Sequence, residues 1–313
     1  MLQNVLPMQN YTSTDVAALV LELIPAVAFG FAGERVARVA GRWPRALRII
    51  LPALFVLPYV WTAYSHQMFF GRWTAFYTAL PVIIAWLLDG AARADPEQHG
   101  NWRDAIILLA LGLAVDLRWL EGLWPRGLAG LGKLLLVDAG LYGFVVMRQL
   151  RGMGFDFHFR WRDWKTGLRE LAFFAPVVIA LGLALGFLHP HPNLPRPSMI
   201  LTWFYVFVFI AVPEELFFRA WVQNLLEKRL GYWLDSRGDS RASRLARIMA
   251  LVITSVLFGL SHFNKRSAHF NWRYVILAAI AGIFYGRAWR QDRRVTASAI
   301  THASVDAIWS LWF

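Results

Sequence analysis

Long apolar runs separated by short charged gaps are the main pattern of this chain. They stand at Val16–Ala32, Ile49–Tyr64, Thr74–Leu88, Ala105–Leu117, Lys133–Met147, Leu171–Leu188, Leu201–Leu226, Ile248–His262, Tyr274–Ala288 and Val295–Trp312. A helix needs roughly 20 residues to cross the hydrocarbon of a bilayer. Inside lipid it satisfies its own backbone hydrogen bonds. The pattern predicts an all-α fold, a polytopic transmembrane helical bundle of about 8–10 spans, with ten the best reading. Several runs are short, and Ala105–Leu117 reads equally as a half-span. Residues 1–190 read as an amino-terminal membrane scaffold of about six spans. Residues 191–313 read as a catalytic membrane domain, because the chemistry gathers there.

Composition excludes the soluble alternatives. The 313 residues are 58% hydrophobic and 17% charged, with a mean hydropathy of +0.43. A soluble domain is about half apolar and a quarter charged. A disordered chain, a coiled coil and an ordinary soluble enzyme are thereby set aside. Cysteine is absent, which removes thiolate metal sites, disulfides and a cysteine nucleophile.

Charge then orders the spans. The chain has 32 Lys and Arg against 20 Asp and Glu, a net +12. Among the gaps between runs, the odd-numbered ones hold 23 of the positive residues and the even-numbered ones eight. Positive loops lie on the cytoplasmic side, so both termini are expected outside, and the basic balance reflects membrane lipids rather than nucleic acid. A multi-pass integral protein, of a bacterial inner membrane, is the expected setting. The stretch Met1–Asp15 has no Lys or Arg, so no cleavable signal peptide is expected. Glu22 and Asp138 fall inside apolar runs, where placement at a span end or pairing in the bundle is expected. Gly127–Leu134, GLAGLGKL, looks like a phosphate-binding loop. It has Leu134 where Ser or Thr must hold magnesium, and reads as a glycine-rich turn entering a helix.

Three runs carry ionisable residues deep in apolar sequence, which marks a site by default. FIAVPEELFFRAW holds Glu214, Glu215 and Arg219; LFGLSHF holds Phe258 and His262; ITHASVDAIW holds His302 and Asp306. Glu215 and Arg219 are four apart and share a helix face, so they can pair. Glu214 points roughly 100° away, without a partner in its own helix, and is the candidate general base. Pro213 cannot donate to Phe209, which loosens the helix just before the acids. His302 and Asp306 also share a face. Counting from the flanking charges at 1.5 Å per residue, Glu214, His262 and Asp306 lie roughly 18–22 Å deep and His302 roughly 12 Å. Taken singly, each has a bland reading: an intramembrane His as a helix–helix link, a Glu–Arg pair as structural glue, Asp306 facing water near the chain end. Together, at compatible depth, they point to one polar pocket.

EELFFR, FGLSH and HASVD, in that order, resemble the EExxxR, FxxxH and HxxxN/D motifs of the CPBP family of intramembrane glutamic endopeptidases. That family includes CAAX prenyl endopeptidases and bacterial Abi and bacteriocin-processing proteins. The resemblance covers the carboxy-terminal third of the chain. It implies a peptide hydrolase in which Glu214 activates water with help from His262. It also implies that His302 and residue 306 stabilise the oxyanion, and that Glu215, Arg219 and Phe258 support the site. It implies no cofactor, and a membrane-associated or lipid-modified protein or peptide as substrate. Residue 306 is Asp where the CAAX enzymes resemble an Asn pattern. An ionised Asp cannot donate a hydrogen bond, so it must be protonated or orient His302. The same residue types suit zinc, with Glu214, His262 and His302 as ligands. A non-catalytic immunity factor or scaffold is the alternative from a different class, and a proton-coupled transporter is a weaker one.

Overall fold

A computed structural model describes residues 11–117, 123–125, 127–191, 198–237, 241–265 and 270–313. The described residues contain helices and no strand. Each of the ten apolar runs becomes one helical segment: α1 Ser13–Ala40, α2 Arg45–Ser65, α3 Gly71–Ala94, α4 Trp102–Asp116, α5 Ala129–Met147, α6 Trp161–Ala184, α7 Met199–Asp235, α8 Ala242–Leu260, α9 Trp272–Asp292 and α10 Val295–Trp312. Seven of these are long and apolar enough to cross a membrane: all but α4, α9 and α10. α4 has only 15 residues, too few for a full span. α9 carries Arg273, Arg287, Arg290 and Asp292, and α10 carries His302 and Asp306.

The burial pattern is that of a bundle in lipid. On α1, Val16, Val20, Ile24, Val27 and Phe31 repeat at helical spacing and all face outward. On α8 the exposed stripe is Leu245, Ile248, Val252, Val256 and Leu260. A water-soluble bundle would turn such stripes inward. The interior instead collects small and polar residues: Thr296, Ala297, Ser298, Ala299, Thr301 and Ala303 of α10 are all buried. Small residues let helix backbones approach where lipid gives no hydrophobic drive to associate. Gly259 of α8 is one such point, since a Cβ there would lie 2.5 Å from the carbonyl oxygen of Val275 on α9. The protein is a multi-pass integral membrane protein.

Two compact units divide at Arg151 and Gly152. Residues 11–151 hold α1 to α5; residues 152–313 hold α6 to α10. The expected division at 190/191 is one of motif content. In the first unit the chain enters α1 through a capping box. The Thr12 hydroxyl accepts from the Asp15 amide, and the Asp15 carboxylate accepts from the Thr12 amide at 2.9 Å. The signal-peptide expectation rests largely on residues 1–10, which lie outside the described residues. Gly127 stands in a turn and α5 starts at Ala129, as read for the glycine-rich stretch. Glu22 and Asp138 are both buried within this unit, with Asp138 in electrostatic reach of Glu22. They are not at exposed span ends.

Each unit is locked by one buried arginine gripping the start of a helix. In the first, Arg148 Nε donates to Asp104 Oδ1 at 2.9 Å and Nη2 to Asp95 Oδ2 at 2.6 Å. Asp104 is the third residue of α4, and its other role is to cap the Asn101 amide. In the second, Arg294 Nε donates to Asp163 Oδ1 at 2.7 Å, and Nη2 donates to the His158 carbonyl at 2.7 Å. Asp163 is the third residue of α6 and accepts from the Arg160 amide at 3.0 Å. Forked guanidinium geometry suits this double grip.

A buried arginine removed from two carboxylates leaves their charges uncompensated, a loss of about 3–5 kcal/mol. Arg148→Met is therefore expected to lower the thermal unfolding midpoint strongly in detergent. Asp95 adds a pH dependence. Burial alone would raise its carboxyl. The His99 and Gly100 amides and the Arg148 guanidinium outweigh this and hold it below the ordinary carboxylate range. A depressed carboxylate contributes stability above its unfolded value and loses it as pH falls through the folded one. Unfolding midpoints measured from neutral pH downward should fall below about pH 4, and the Asp95 share of that fall should vanish in Asp95→Asn.

Candidate active site

The site is assembled in the second unit by α7, α8 and α10. α7 is not a uniform helix. Residues Phe207–Ala211 and Leu216–Gln223 are π-helical, and Val212–Glu215 between them is a single α-turn. Pro213 stands at the start of that turn. Its missing donor and the wider turns on either side have one cause, since the Phe209 carbonyl loses its usual partner. The result presents Glu214 and Glu215 in the middle of an apolar helix.

Glu215 is fully buried. Its Oε2 accepts from Arg219 Nε at 2.9 Å, the pairing expected from the spacing. The same carboxylate takes the Ser298 hydroxyl and, at 2.8 Å, His302 Nδ1. Ser298 and His302 are four apart on α10, so one carboxylate of α7 fixes one face of α10. Ser298 Oγ also lies 2.9 Å from the Tyr285 carbonyl, so its single proton is shared between that oxygen and the carboxylate. A carboxylate only accepts, so His302 Nδ1 bears the proton. The ring is held flat between partners: Tyr285 stacks on it at 4.6 Å and 16°, and Phe258 meets it edge-on at 5.7 Å. His302 Nε2 is thereby directed to Glu214 Oε2 at 3.9 Å and Asp306 Oδ2 at 3.7 Å.

The FxxxH spacing has a local purpose. The Phe258 carbonyl accepts from His262 Nδ1 at 2.8 Å, one helical turn on. This fixes the His262 tautomer and leaves Nε2 free to accept. α8 ends at Leu260, so His262 sits in the turn just beyond it. Phe258 also packs against Phe218, Tyr285 and His262, with the Arg219 guanidinium over its ring at 5.4 Å.

All seven residues singled out in the sequence therefore meet in one place. Glu214 and Asp306 keep partial exposure, 27% and 31% of their side chains, while Glu215 and Arg219 have none. The acids divide by position into one locked and one reachable. Four neighbours were not legible in the sequence. Tyr285 and Ser298 are ordinary residues of apolar helices, and Tyr274 packs on His262 at 4.8 Å without any motif. Lys265 is one of the positive residues in the even-numbered gaps, and its Nζ lies 3.8 Å from Glu214 Oε1. Glu214 lacks a partner in its own helix, as read, and finds its neighbours on other elements. Among the described residues, no three His, Asp or Glu side chains are grouped so as to hold a metal ion.

A cleft of about 90 Å³ opens beside these groups. Phe174 and Val178 of α6 and Leu277 of α9 give it apolar walls, and His262, His302 and Asp306 stand at its polar end.

Residues 196–308 match a family model described as "Type II CAAX prenyl endopeptidase Rce1-like". No curated protein and no solved structure matches the chain. The matched segment contains all three motifs, so the likeness to the CAAX prenyl endopeptidases read from them is met by the family model over that region.

The two glutamates should separate experimentally. Glu215→Gln removes the charge that balances the wholly buried Arg219, whose Nη1 and Nη2 have no hydrogen-bond partner among the described residues. Loss of one member of such a pair costs about 3–5 kcal/mol. Thermal unfolding in detergent should show a large drop for Glu215→Gln. Glu214→Gln should unfold near the wild-type midpoint.

Proposed function

We propose that this protein is an intramembrane endopeptidase that hydrolyses a peptide bond of a membrane-associated or lipid-modified protein or peptide with a glutamate-activated water. The single observation that carries the reading is the reachable Glu214 carboxylate, ringed by His302, Lys265 and, through Lys265, His262. The likeness of residues 196–308 to type II CAAX prenyl endopeptidases supports the same reaction class.

In this reading Glu214 takes a proton from water as the water oxygen attacks the scissile carbonyl. It returns that proton to the leaving amine when the C–N bond breaks. Apolar surroundings keep competing water scarce and strengthen each electrostatic contact at the reacting carbonyl. Glu215 and Arg219 act as the frame: the carboxylate holds His302 by Nδ1 and leaves Nε2 toward the reacting centre. The cleft suits an apolar stretch of substrate or an attached lipid, with the scissile bond at its polar end. Apolar walls and few polar groups are the usual make-up of a small-molecule or lipid-chain site.

The experiment uses purified full-length protein in vesicles with two internally quenched peptides. One ends in a prenylated Cys-aliphatic-aliphatic-X sequence, and the other is an unlipidated transmembrane peptide. Wild type should cleave at least one, and Glu214→Gln should lower kcat by at least about 10²-fold, the contribution of a placed general base. Cleavage of neither peptide, or full cleavage by Glu214→Gln, overturns the reading.

A further inference from the structure

Of the two residues that the motif offers to the oxyanion, His302 and residue 306, the second is an acid here. Asp306 approaches His302 Nε2 at 3.7 Å, but when ionised it has no proton to give. We propose that Lys265 supplies this function: its ammonium group pairs with the oxyanion that forms at the scissile carbonyl. The inference rests on the proteolytic reading of the site.

Lys265 is held for such a task. It lies in the turn that follows α8, three residues after His262. Its amide donates to the His262 carbonyl at 3.2 Å, and its own carbonyl accepts from Asn271 Nδ2 at 3.3 Å. The turn is closed again by the Asn271 amide on the Phe263 carbonyl at 2.9 Å. From this base Nζ lies 3.5 Å from His262 Nε2 and 3.8 Å from Glu214 Oε1. The side chain is 35% exposed, so it leans over the two reacting groups and remains open to a ligand. A carbonyl placed against a water on Glu214 lies within the sweep of the four-carbon stem, which carries three rotatable donors. His262 cannot substitute through Nδ1, which is spent on the Phe258 carbonyl.

The electron count closes without any added reactant. The water oxygen bonds to the carbonyl carbon while its proton passes to Glu214. The C=O π pair moves to oxygen, and that oxyanion is paired with the Lys265 ammonium, which keeps its protons. Collapse re-forms the C=O bond and breaks C–N, and the amine leaves with the proton held by Glu214.

A lysine that merely neutralises Glu214 would respond differently from one that binds the oxyanion. In the second case an amide at position 306 replaces part of the lost donation. The test uses whichever quenched peptide the wild type cleaves, with thermal unfolding as the folding control. Lys265→Met should lower kcat by about 10²–10³-fold, the effect of removing one oxyanion donor, with KM little changed. Lys265→Arg should retain part of the rate. The double variant Lys265→Met/Asp306→Asn should recover activity over Lys265→Met alone, and Lys265→Met/Asp306→Ala, which removes the acid without adding a donor, should not. Wild-type kcat in a folded Lys265→Met, an Asn double variant no better than Lys265→Met, or an Ala double variant as active as the Asn one overturns the proposal. Glu214→Gln separates the two levels. If it is inactive while Lys265→Met is unaffected, only the role of Lys265 fails; if it is active, the proteolytic reading itself fails.

Discussion

A fully buried carboxylate, that of Glu215, must be matched by donors or the bundle around it does not form. Arg219, Ser298 and His302 are those donors. One comes from the same helix and two from α10. The desolvation of a lone carboxylate in such surroundings is several kcal/mol, and the three contacts together offset it. That requirement sets the rotation of α10 against α7. It also sets the His302 tautomer, because the nitrogen facing Glu215 has to be the donor. What remains, His302 Nε2, points to Glu214 and Asp306 as a consequence. The geometry around Glu214 and Asp306 is thus derived from a structural ion pair rather than built independently.

The same logic explains why two adjacent glutamates differ. They are neighbours in sequence, but helical rotation buries one completely and leaves the other partly exposed. Pro213 and the π-turns around it let both be accommodated in one apolar helix. The aromatic shell of Phe258, Tyr285 and Phe218 then excludes solvent from the locked glutamate while the other keeps partial access. Buried arginines at Arg148 and Arg294 repeat this use of charge elsewhere: each is a fork that clamps the first turn of a helix.

Much of this was legible in the residues. Apolar runs located every one of the ten helices, because a lipid-crossing helix announces itself by length and hydropathy. Seven of these are long and apolar enough to cross a membrane, and α4, α9 and α10 are the shorter or more polar ones. The i,i+4 spacing of Glu215 and Arg219 predicted their pairing, because that contact is local. The partners across helices were hidden. Ser298, Tyr285 and Tyr274 are common residues whose role comes only from which backbones approach, and small residues such as Gly259 decide that approach. The position of Lys265 was hidden for a related reason. A charge beyond the end of an apolar run looks like a loop anchor until the turn at its base is seen to fold it back.

That turn has a bearing on how the site tolerates Asp at position 306. Three carboxylates, Glu214, Glu215 and Asp306, approach His302 at 3.9, 2.8 and 3.7 Å. Arg219 compensates Glu215, and the remaining two acids are left beside one imidazole. Like charges so close resist joint ionisation, and the imbalance grows as the surroundings become less polar. Lys265 adds one positive charge on the Glu214 side of this group. It lowers the electrostatic cost of keeping the Glu214 carboxylate ionised, without requiring Asp306 to surrender its own charge. An Asn at 306 removes one acid from the balance, and an Asp there makes a cation such as Lys265 more valuable. On this argument, residues 265 and 306 are two parts of one charge balance around Glu214, although Lys265 lies in the turn after α8, Asp306 lies in α10, and only one of them is in a motif.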